Sequence, residues 1–250
     1  MAKKIQVNAT IIIIGNEILS GRTQDTNTGS IALWLNLLGV KVQEVRVIPD
    51  IEEVIVKTIN EVRKKNTYVF TTGGIGPTHD DITAESISKA FGLKYKINKE
   101  AFKILEAYYK PGEFNEGRQK MAWTPAKAKL ILNPTSGAPG FIVENVFCLP
   151  GVPSILKSML GGLKNEVSGG KPIISHTINL RTVESEIAKS LTSVQNNNKD
   201  VEIGSYPFFR AGKLGVSIVI RSENQSKIDD CNSKIMEFVL QKKIEIIKDN

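Results

Sequence analysis

Hydrophobic and polar positions in the first 92 residues follow two alternating periods, one typical of buried strands and the other of amphipathic helices. Four consecutive isoleucines, Ile11 to Ile14, close the first segment and indicate a strand covered on both faces. Strand alternating with helix predicts parallel βαβ units. The predicted strands are residues 5–14, 40–48 and 67–72, and the predicted helices are residues 27–38, 82–91 and a helix opened by an Asp50/Glu53 capping box.

The hydrophobic pattern changes in the rest of the chain. Glycine pairs at 161–162 and 169–170 mark a linker, because the periodicity starts afresh after them. The sequence therefore predicts an α/β domain over residues 1–168 and a small α+β domain, of ferredoxin-like or related type, over residues 169–250. The predicted elements are helices over 99–109, near Arg118 and from a Ser154 cap to about 163; strands over 129–132, 141–143 and 146–149; then strand 173–180, helix 183–194, strand 201–209, turn 211–213, strand 214–222 and a last helix.

Composition excludes several classes of protein. The chain has 250 residues, 41% of them hydrophobic, yet its longest purely apolar run is five residues, far below the roughly 20 of a membrane-spanning helix. The N-terminal segment lacks the apolar core of a signal peptide. Cys148 and Cys231 lie in apolar segments without CxxC spacing, which indicates neither a disulfide framework nor a zinc site. These features predict a cytoplasmic protein with no membrane partner.

The net charge of +7 is concentrated in residues 89–129, which hold ten Lys or Arg and four Glu. A nucleic-acid groove usually combines interleaved aromatic residues with arginines, and most of these cations are lysines, so a nucleic-acid groove is not expected. A small anionic ligand and a solvated lysine face remain equal alternatives.

Candidate chemistry is concentrated after the predicted parallel strands. The Gly-Gly-Ile-Gly loop at 73–76 lies between a strand and a helix, where backbone N–H groups can bind a phosphate, although the same loop can be a tight turn only. Carboxylates follow each strand at the carboxyl edge of the sheet: Glu17 and Asp25, Asp50, then Asp80 and Asp81 beside His79. Carboxylates beside a phosphate require a divalent cation such as Mg²⁺, whereas the alternative for Asp50 and Asp81 is helix capping.

A second loop rich in small residues, at 133–140, either lines a ligand or turns a hairpin. Neither a GxSxG elbow nor a cysteine with a histidine partner occurs in the sequence, so covalent catalysis is disfavoured.

Several long motifs belong together. They are Gly-Asn-Glu-Ile-Leu-Ser-Gly at 15–21 with Asp-Thr-Asn at 25–27, Thr-Thr-Gly-Gly-Ile-Gly-Pro-Thr-His-Asp-Asp-Ile-Thr-Ala-Glu at 71–85, the loop at 133–141 and Leu-Pro-Gly-Val-Pro-Ser at 149–154. This set resembles the CinA (competence/damage-inducible protein A) branch of the MoaB/Mog molybdopterin-binding domain family. Glu-Ser-Glu at 184–186 and Gly-Ser-Tyr-Pro at 204–207 resemble the CinA middle domain, so the resemblance covers nearly the whole chain.

The resemblance implies a three-layer α/β fold with a mostly parallel sheet and a site for a phosphorylated pterin or nucleotide. In the CinA branch the similar domain is associated with metal-dependent cleavage of the pyrophosphate in ADP-ribose-like nucleotides. The expected catalytic residues are Asp81, Asp50 and Asp80. The expected ligands of a divalent metal, Mg²⁺ or similar, are Asp81, Asp50 and Glu17. The expected ligand or phosphate contacts are Gly73, Gly74, Gly76, Thr78, Asn27, Gly137 and Pro139.

The sequence departs from the family pattern at three positions. Ile75 replaces a threonine, Asp80 replaces an arginine and Ile155 replaces a glutamate. The extra carboxylate of Asp80 disfavours direct molybdopterin binding and favours a metal. The alternatives to a pyrophosphatase are molybdopterin binding or adenylyl transfer in molybdenum cofactor assembly, and a non-catalytic binding or assembly module. Full-length CinA proteins usually carry a further amidase domain that acts on nicotinamide mononucleotide, and no amidase activity is expected here. The protein is expected to form a homo-oligomer.

Overall fold

A computed structural model describes residues 7–210 and 212–247 of the chain. It divides into two compact units, the first ending at Gly170 and the second beginning at Lys171. No helix in the described ranges is long and apolar enough to cross a membrane.

The first unit alternates strands and helices as the pattern predicts. Residues 5 and 6 of the predicted first strand lie outside the described residues. The strands are β1 (Asn8–Ile14), β2 (Lys41–Ile48), β3 (Tyr68–Thr72), β4 (Tyr95–Ile97), β5 (Trp123–Pro125), β6 (Lys129–Ile131), β7 (Gly140–Val143) and β8 (Val146–Leu149). The helices are α1 (Asn16–Leu19), α2 (Asn27–Leu37), α3 (Glu52–Val62), α4 (Thr83–Ala90), α5 (Lys99–Tyr108), α6 (Glu116–Lys120) and α7 (Pro153–Leu160), which a 3₁₀ turn extends (Gly161–Leu163).

Six of these strands form one sheet in the order β2-β1-β3-β8-β7-β6. The pairs from β2 to β8 are parallel, and β7 and β6 join antiparallel. The predicted mostly parallel sheet is therefore confirmed. The sequence pattern missed a separate two-stranded antiparallel sheet of β4 and β5.

Strand β1 shows why the unit has three layers. Its side chains point alternately to the two faces of the sheet, and both faces are buried. Ile11 and Ile13 belong to one hydrophobic cluster, which includes Leu35 of α2 and Leu156 of α7. Ile12 and Ile14 belong to the opposite cluster, which includes Ile55 and Ile59 of α3 and Ala84 and Ile87 of α4. Helices thus cover the sheet on both sides.

Two predicted helix caps are wrong. The N-cap of α3 is Ile51 without a side-chain hydrogen bond, because the Asp50 carboxylate accepts a hydrogen bond from the Asn16 amide instead. The N-cap of α7 is Val152, and the helix begins at Pro153 rather than after Ser154. Proline suits that first position because its φ is already helical and it has no N–H to satisfy.

The second unit is an antiparallel sheet with two helices. Its elements are β9 (Ile174–Arg181), α8 (Glu184–Asn197), β10 (Glu202–Arg210), β11 (Lys213–Ser222), α9 (Gln225–Gln241) and β12 (Glu245–Ile247). The sheet order is β10-β11-β9-β12. The predicted α+β unit is confirmed, and β12 extends the predicted βαββα order to the βαββαβ order of ferredoxin-like domains. Ala211, in the predicted turn, lies outside the described residues.

The domain boundary in solution is a prediction. Residues next to it are bound to the first unit, since Ser168 N donates to the Tyr68 hydroxyl (2.9 Å) and Gly170 N donates to the Gly39 carbonyl (3.1 Å). We expect a nonspecific protease to cut first just after Gly170, on the far side of these bonds, and to leave two stable fragments. Mass spectrometry of a subtilisin digest would measure this. First cuts within residues 30–90 would contradict the boundary.

Candidate functional site

The loops at the carboxyl ends of β1, β2, β3 and β8 meet at one edge of the sheet. The Asn16 amide, after β1, donates to Asp50 Oδ2, after β2, at 2.8 Å. The Asn27 side chain, at the start of α2, donates to Thr72 Oγ1 at the end of β3 (2.9 Å) and to the Gly151 carbonyl after β8 (2.7 Å). These hydrogen bonds join the three loops that the sequence placed at this edge, together with the segment after β8, which it did not.

Glycine is required at the start of the Gly73 to Gly76 loop. Gly73 and Gly74 have φ of 104° and 66°, a region that other residues rarely adopt. A Cβ at Gly73 would lie 2.1 Å from the Ile14 carbonyl oxygen, so the loop passes directly over the end of β1. The Gly73 N–H donates to the Leu149 carbonyl (3.1 Å), so it is not available to a ligand, contrary to the expected phosphate contact.

The next three backbone amides of this loop differ from that of Gly73 in their hydrogen bonding. The N–H groups of Gly74, Ile75 and Gly76 donate to no acceptor among the described residues. The loop carbonyls, by contrast, are bound by the first residue of α4: Thr83 Oγ1 donates to Gly73 O (3.0 Å) and Thr83 N to Gly74 O (2.9 Å). The loop is therefore fixed with its donors unused, beside the N-terminus of α4, which favours a bound anion.

Thr78 connects the two aspartates that follow the loop. Its N–H donates to Asp81 Oδ2 at 2.8 Å, and its hydroxyl lies 2.5 Å from both Asp81 Oδ2 and Asp80 Oδ1. The hydrogen bond from Thr78 lowers the pKa of Asp80, and the nearby charges of His79 and Lys120 act in the same direction. Asp81 thus stabilises the loop, and the N-cap position of α4 is taken by Ile82 instead.

Lys120 brings a positive charge to this loop, since its Nζ donates to the Thr78 carbonyl. It is one of the ten cations in residues 89–129, and no motif in the sequence distinguishes it from the others. Only the position of α6 beside the loop identifies it.

Asp50 is in an unfavourable position for a charged carboxylate. Partial burial raises its pKa, and the neighbouring negative charges of Glu17 and Asp80 raise it further, against the effect of the hydrogen bond from Asn16. Three loops therefore bring three carboxylates near one another. In the described ranges, however, no group of three or more His, Cys, Asp or Glu side chains is arranged to hold a metal ion.

The raised pKa of Asp50 predicts a pH-dependent effect on stability. The folded protein binds the Asp50 proton more tightly than the unfolded chain, so the ionised side chain destabilises the fold above this raised pKa. We expect Asp50→Asn to raise the thermal unfolding midpoint at pH 7, because asparagine still accepts from Asn16 without a charge. The gain should vanish as the pH falls through the raised pKa.

Thermal unfolding of both proteins across pH 3 to 8 measures this effect. Asp80→Asn is the matched control with the opposite sign, since the pKa of Asp80 is lowered and its loss should give no gain at pH 7. Destabilisation by Asp50→Asn at pH 7 would contradict the prediction.

The second small-residue loop is held mainly by its own side chains. Asn133 is buried; its Oδ1 accepts from the amides of Thr135 and Ser136, and its Nδ2 donates to Ser136 Oγ and the Ala138 carbonyl. Gly137, at φ 73°, packs against the Tyr108 ring, where a Cβ would lie 2.7 Å from the nearest ring atom. Pro139 is closer to the candidate site: with Gly76, Asp81 and Lys120 it lines a small cavity of about 10 Å³.

A larger cavity, of about 60 Å³, opens on the other side of Gly73. It brings together Glu17, Asn27 and Gly73, which the sequence assigned to one site, and its wall also contains Asp25, Thr72 and Gly151. The site therefore has two parts: the free amides with Asp81 and Lys120, and the cavity at Asn27.

Comparison with known proteins identifies the family of the first unit. Residues 10–169 match the family described as "Probable molybdopterin binding domain". The chain belongs to the molybdopterin-binding domain family. The predicted family is confirmed. The second unit, residues 172–247, matches "FAD synthase, middle domain", where the sequence motifs resemble the middle domain of CinA.

Relatives of this molybdopterin-binding domain protein are found in archaea. The chain is 36% identical over 197 residues to a protein of Archaeoglobus fulgidus, covering 79% of this chain and 84% of the relative. It is also 36% identical over 210 residues to a protein of Pyrobaculum calidifontis, covering 80% of each. Among solved structures, CinA of unknown function from Thermoplasma acidophilum is similar, with a TM-score of 0.61, 32% identity and coverage of 64% of this chain and 98% of that one.

Proposed function

We propose that this molybdopterin-binding domain protein binds a phosphorylated small molecule at the Gly74 to Gly76 amides. The observation that carries the proposal is the row of three N–H groups that find no acceptor among the described residues, in a loop held by Thr83 at the carboxyl edge of a parallel sheet. The N-terminus of α4 and the Lys120 ammonium, which donates to the Thr78 carbonyl, add positive potential at the same place. Molybdopterin and nucleotides that contain a diphosphate are the two ligand classes that fit.

The nucleotide is our preferred ligand, because negative charges already lie beside the amides. Asp80 stands where related proteins often carry an arginine, and its charge lies near Asp50. An anion at this edge is then repelled unless a cation accompanies it. This arrangement favours a nucleotide that is bound together with a divalent metal over molybdopterin bound alone.

We further propose hydrolysis of the diphosphate in an ADP-ribose-like nucleotide. The three loop amides would neutralise the phosphate oxygens, and the carboxylates of Asp81 and Asp50 would orient the attacking water. Asp80 would act with them, because Thr78 bonds to both Asp80 and Asp81. The raised pKa of Asp50 favours this second proposal, since a carboxylate whose proton is bound more tightly is a better base.

The described residues supply oxygen ligands that suit Mg²⁺, but these ligands are not arranged as a complete site there. An incomplete set of protein ligands fits Mg²⁺, because this ion is usually held by one or two carboxylates, with water and substrate phosphates completing its coordination. Asp81 and Asp50, with Glu17 beside them, are the residues that would hold it. When bound, the metal would supply charge neutralisation at the phosphate and an acidified water.

A ligand screen tests both proposals. ADP-ribose, other diphosphate dinucleotides and molybdopterin are measured for binding by calorimetry and for turnover by chromatography, each with Mg²⁺ and with EDTA. The expected result is metal-dependent binding and hydrolysis of ADP-ribose. Molybdopterin binding that is equal with and without metal, with no nucleotide turned over, would replace the hydrolase proposal by pterin handling. Binding of a nucleotide without turnover would indicate a non-catalytic module.

The oligomeric state is a separate prediction. Homo-oligomers are expected for relatives of this family, and light scattering at micromolar concentration should therefore report a mass of at least twice 27.5 kDa. A single species of 27.5 kDa would contradict it.

A further inference from the structure

The cavity beside Gly73 has the size of part of a sugar. Its volume is about 60 Å³. One water-sized group needs roughly 10–15 Å³ by this kind of measure, so the cavity takes roughly four to six such groups. That accommodates the hydroxyl-bearing edge of a pentose and is too small for a fused bicyclic ring.

The orientation of the Asn27 side-chain amide in this cavity is fixed by its partners. Nδ2 lies 2.7 Å from the Gly151 carbonyl, which can only accept, and 2.9 Å from Thr72 Oγ1. The Thr72 hydroxyl donates its single proton to the Pro150 carbonyl, at 2.9 Å. Its oxygen must therefore accept the hydrogen bond from Asn27. The opposite atom, Oδ1, is therefore a carbonyl oxygen. It has no partner in the described part of the chain, although Asn27 is only 6% exposed.

A buried acceptor without a donor is costly, so this atom calls for an O–H or N–H group. A phosphate oxygen, which only accepts, is unsuitable, and the phosphate contact expected for Asn27 from sequence is thus disfavoured. The lining also contains two carboxylates, which only accept when ionised, beside the donor-bearing side chains of Thr23, Gln24 and Thr26. Asp25 Oδ1 already accepts from the amides of Asn27 (2.9 Å) and Thr28 (3.3 Å), and Glu17 contributes a second carboxylate. Vicinal hydroxyls match such a wall.

We propose that this cavity binds the vicinal hydroxyl groups of a ribosyl group, with Asn27 Oδ1 accepting from one of them. The inference rests on the proposed function, because it places the attached phosphate at the neighbouring Gly74 to Gly76 amides. Gly73 lines the cavity and begins that loop, so the sugar and phosphate subsites are adjacent along the chain. Asn27 then determines specificity for ribose over deoxyribose.

The unaltered protein gives the first test. Calorimetry in the presence of Mg²⁺ compares ADP with 2′-deoxy-ADP and 2′,3′-dideoxy-ADP, which keep both phosphates and the base. The dideoxy analogue should bind at least about tenfold more weakly than ADP. Equal affinities for the three would overturn the inference and leave the proposed phosphate site standing. Failure of all three to bind would overturn the proposed function for nucleotides, and this inference with it.

The second test changes Asn27. In Asn27→Leu, which keeps the size of the side chain, ADP should bind as weakly as the dideoxy analogue, and the discrimination should disappear. Asn36→Leu is the matched control, because Asn36 is an exposed residue of the same helix and its change should preserve discrimination. Discrimination that persists in folded Asn27→Leu would overturn the role of Asn27. If this variant does not fold, the comparison of the three nucleotides on the unaltered protein decides.

Discussion

Replacing Asp81 by Asn is expected to lower the rate of ADP-ribose hydrolysis about 100-fold or more while leaving the protein folded. Removal of a carboxylate that orients a water or holds a divalent ion typically has an effect of this size. The structural role of Asp81 is largely retained in the variant, since an asparagine Oδ1 can still accept the hydrogen bond from Thr78 N. Its free energy of unfolding should change by only about 1 kcal/mol.

Steady-state kinetics at saturating Mg²⁺, together with thermal unfolding of the same samples, separates these two roles of Asp81. Asp200→Asn is the matched control: it removes one exposed carboxylate from the second unit and should leave the rate unchanged. A variant that loses stability in proportion to its activity, or that keeps full activity, would restrict Asp81 to holding the loop.

The sequence predicts the sheet well because its main strands carry strong local signals. The isoleucine run of β1 is apolar at every position, and this follows from burial of both faces of the sheet. Strands β4, β5 and β12 are not predicted, since each has three residues, too few to show a period; β6 is equally short and is predicted only as part of the longer segment 129–132. They form through pairing with distant partners, as β12 does with β9.

The candidate site is harder to predict because contacts distant in sequence decide what each residue does. Asp50 has the spacing of a helix cap, yet its carboxylate bonds to Asn16, 34 residues earlier. Gly73 belongs to a phosphate-loop motif, yet its N–H donates to the carbonyl of Leu149 in β8, a residue distant in sequence. The motif identifies the loop, and only the fold shows which of its amides remain free.

Gly73→Ala is expected to have the largest effect on stability, lowering the free energy of unfolding by roughly 2–4 kcal/mol. The added methyl group would lie 2.1 Å from the Ile14 carbonyl oxygen, a backbone atom that cannot move without disturbing β1. The φ of 104° adds strain for any residue with a Cβ. Since the loop must shift, binding of ADP-ribose should also weaken, although the Gly73 amide itself makes no ligand contact.

Urea unfolding followed by tryptophan fluorescence measures this prediction, because both tryptophans, Trp34 and Trp123, lie in the first unit. Gly161→Ala is the matched control: φ there is −58° and a Cβ would meet nothing within 4 Å, so its stability should stay within about 0.5 kcal/mol of the unaltered protein. If the two variants were equally stable, the close passage of the loop over β1 would be refuted, and with it the rigid presentation of the free amides on which the proposed phosphate site depends.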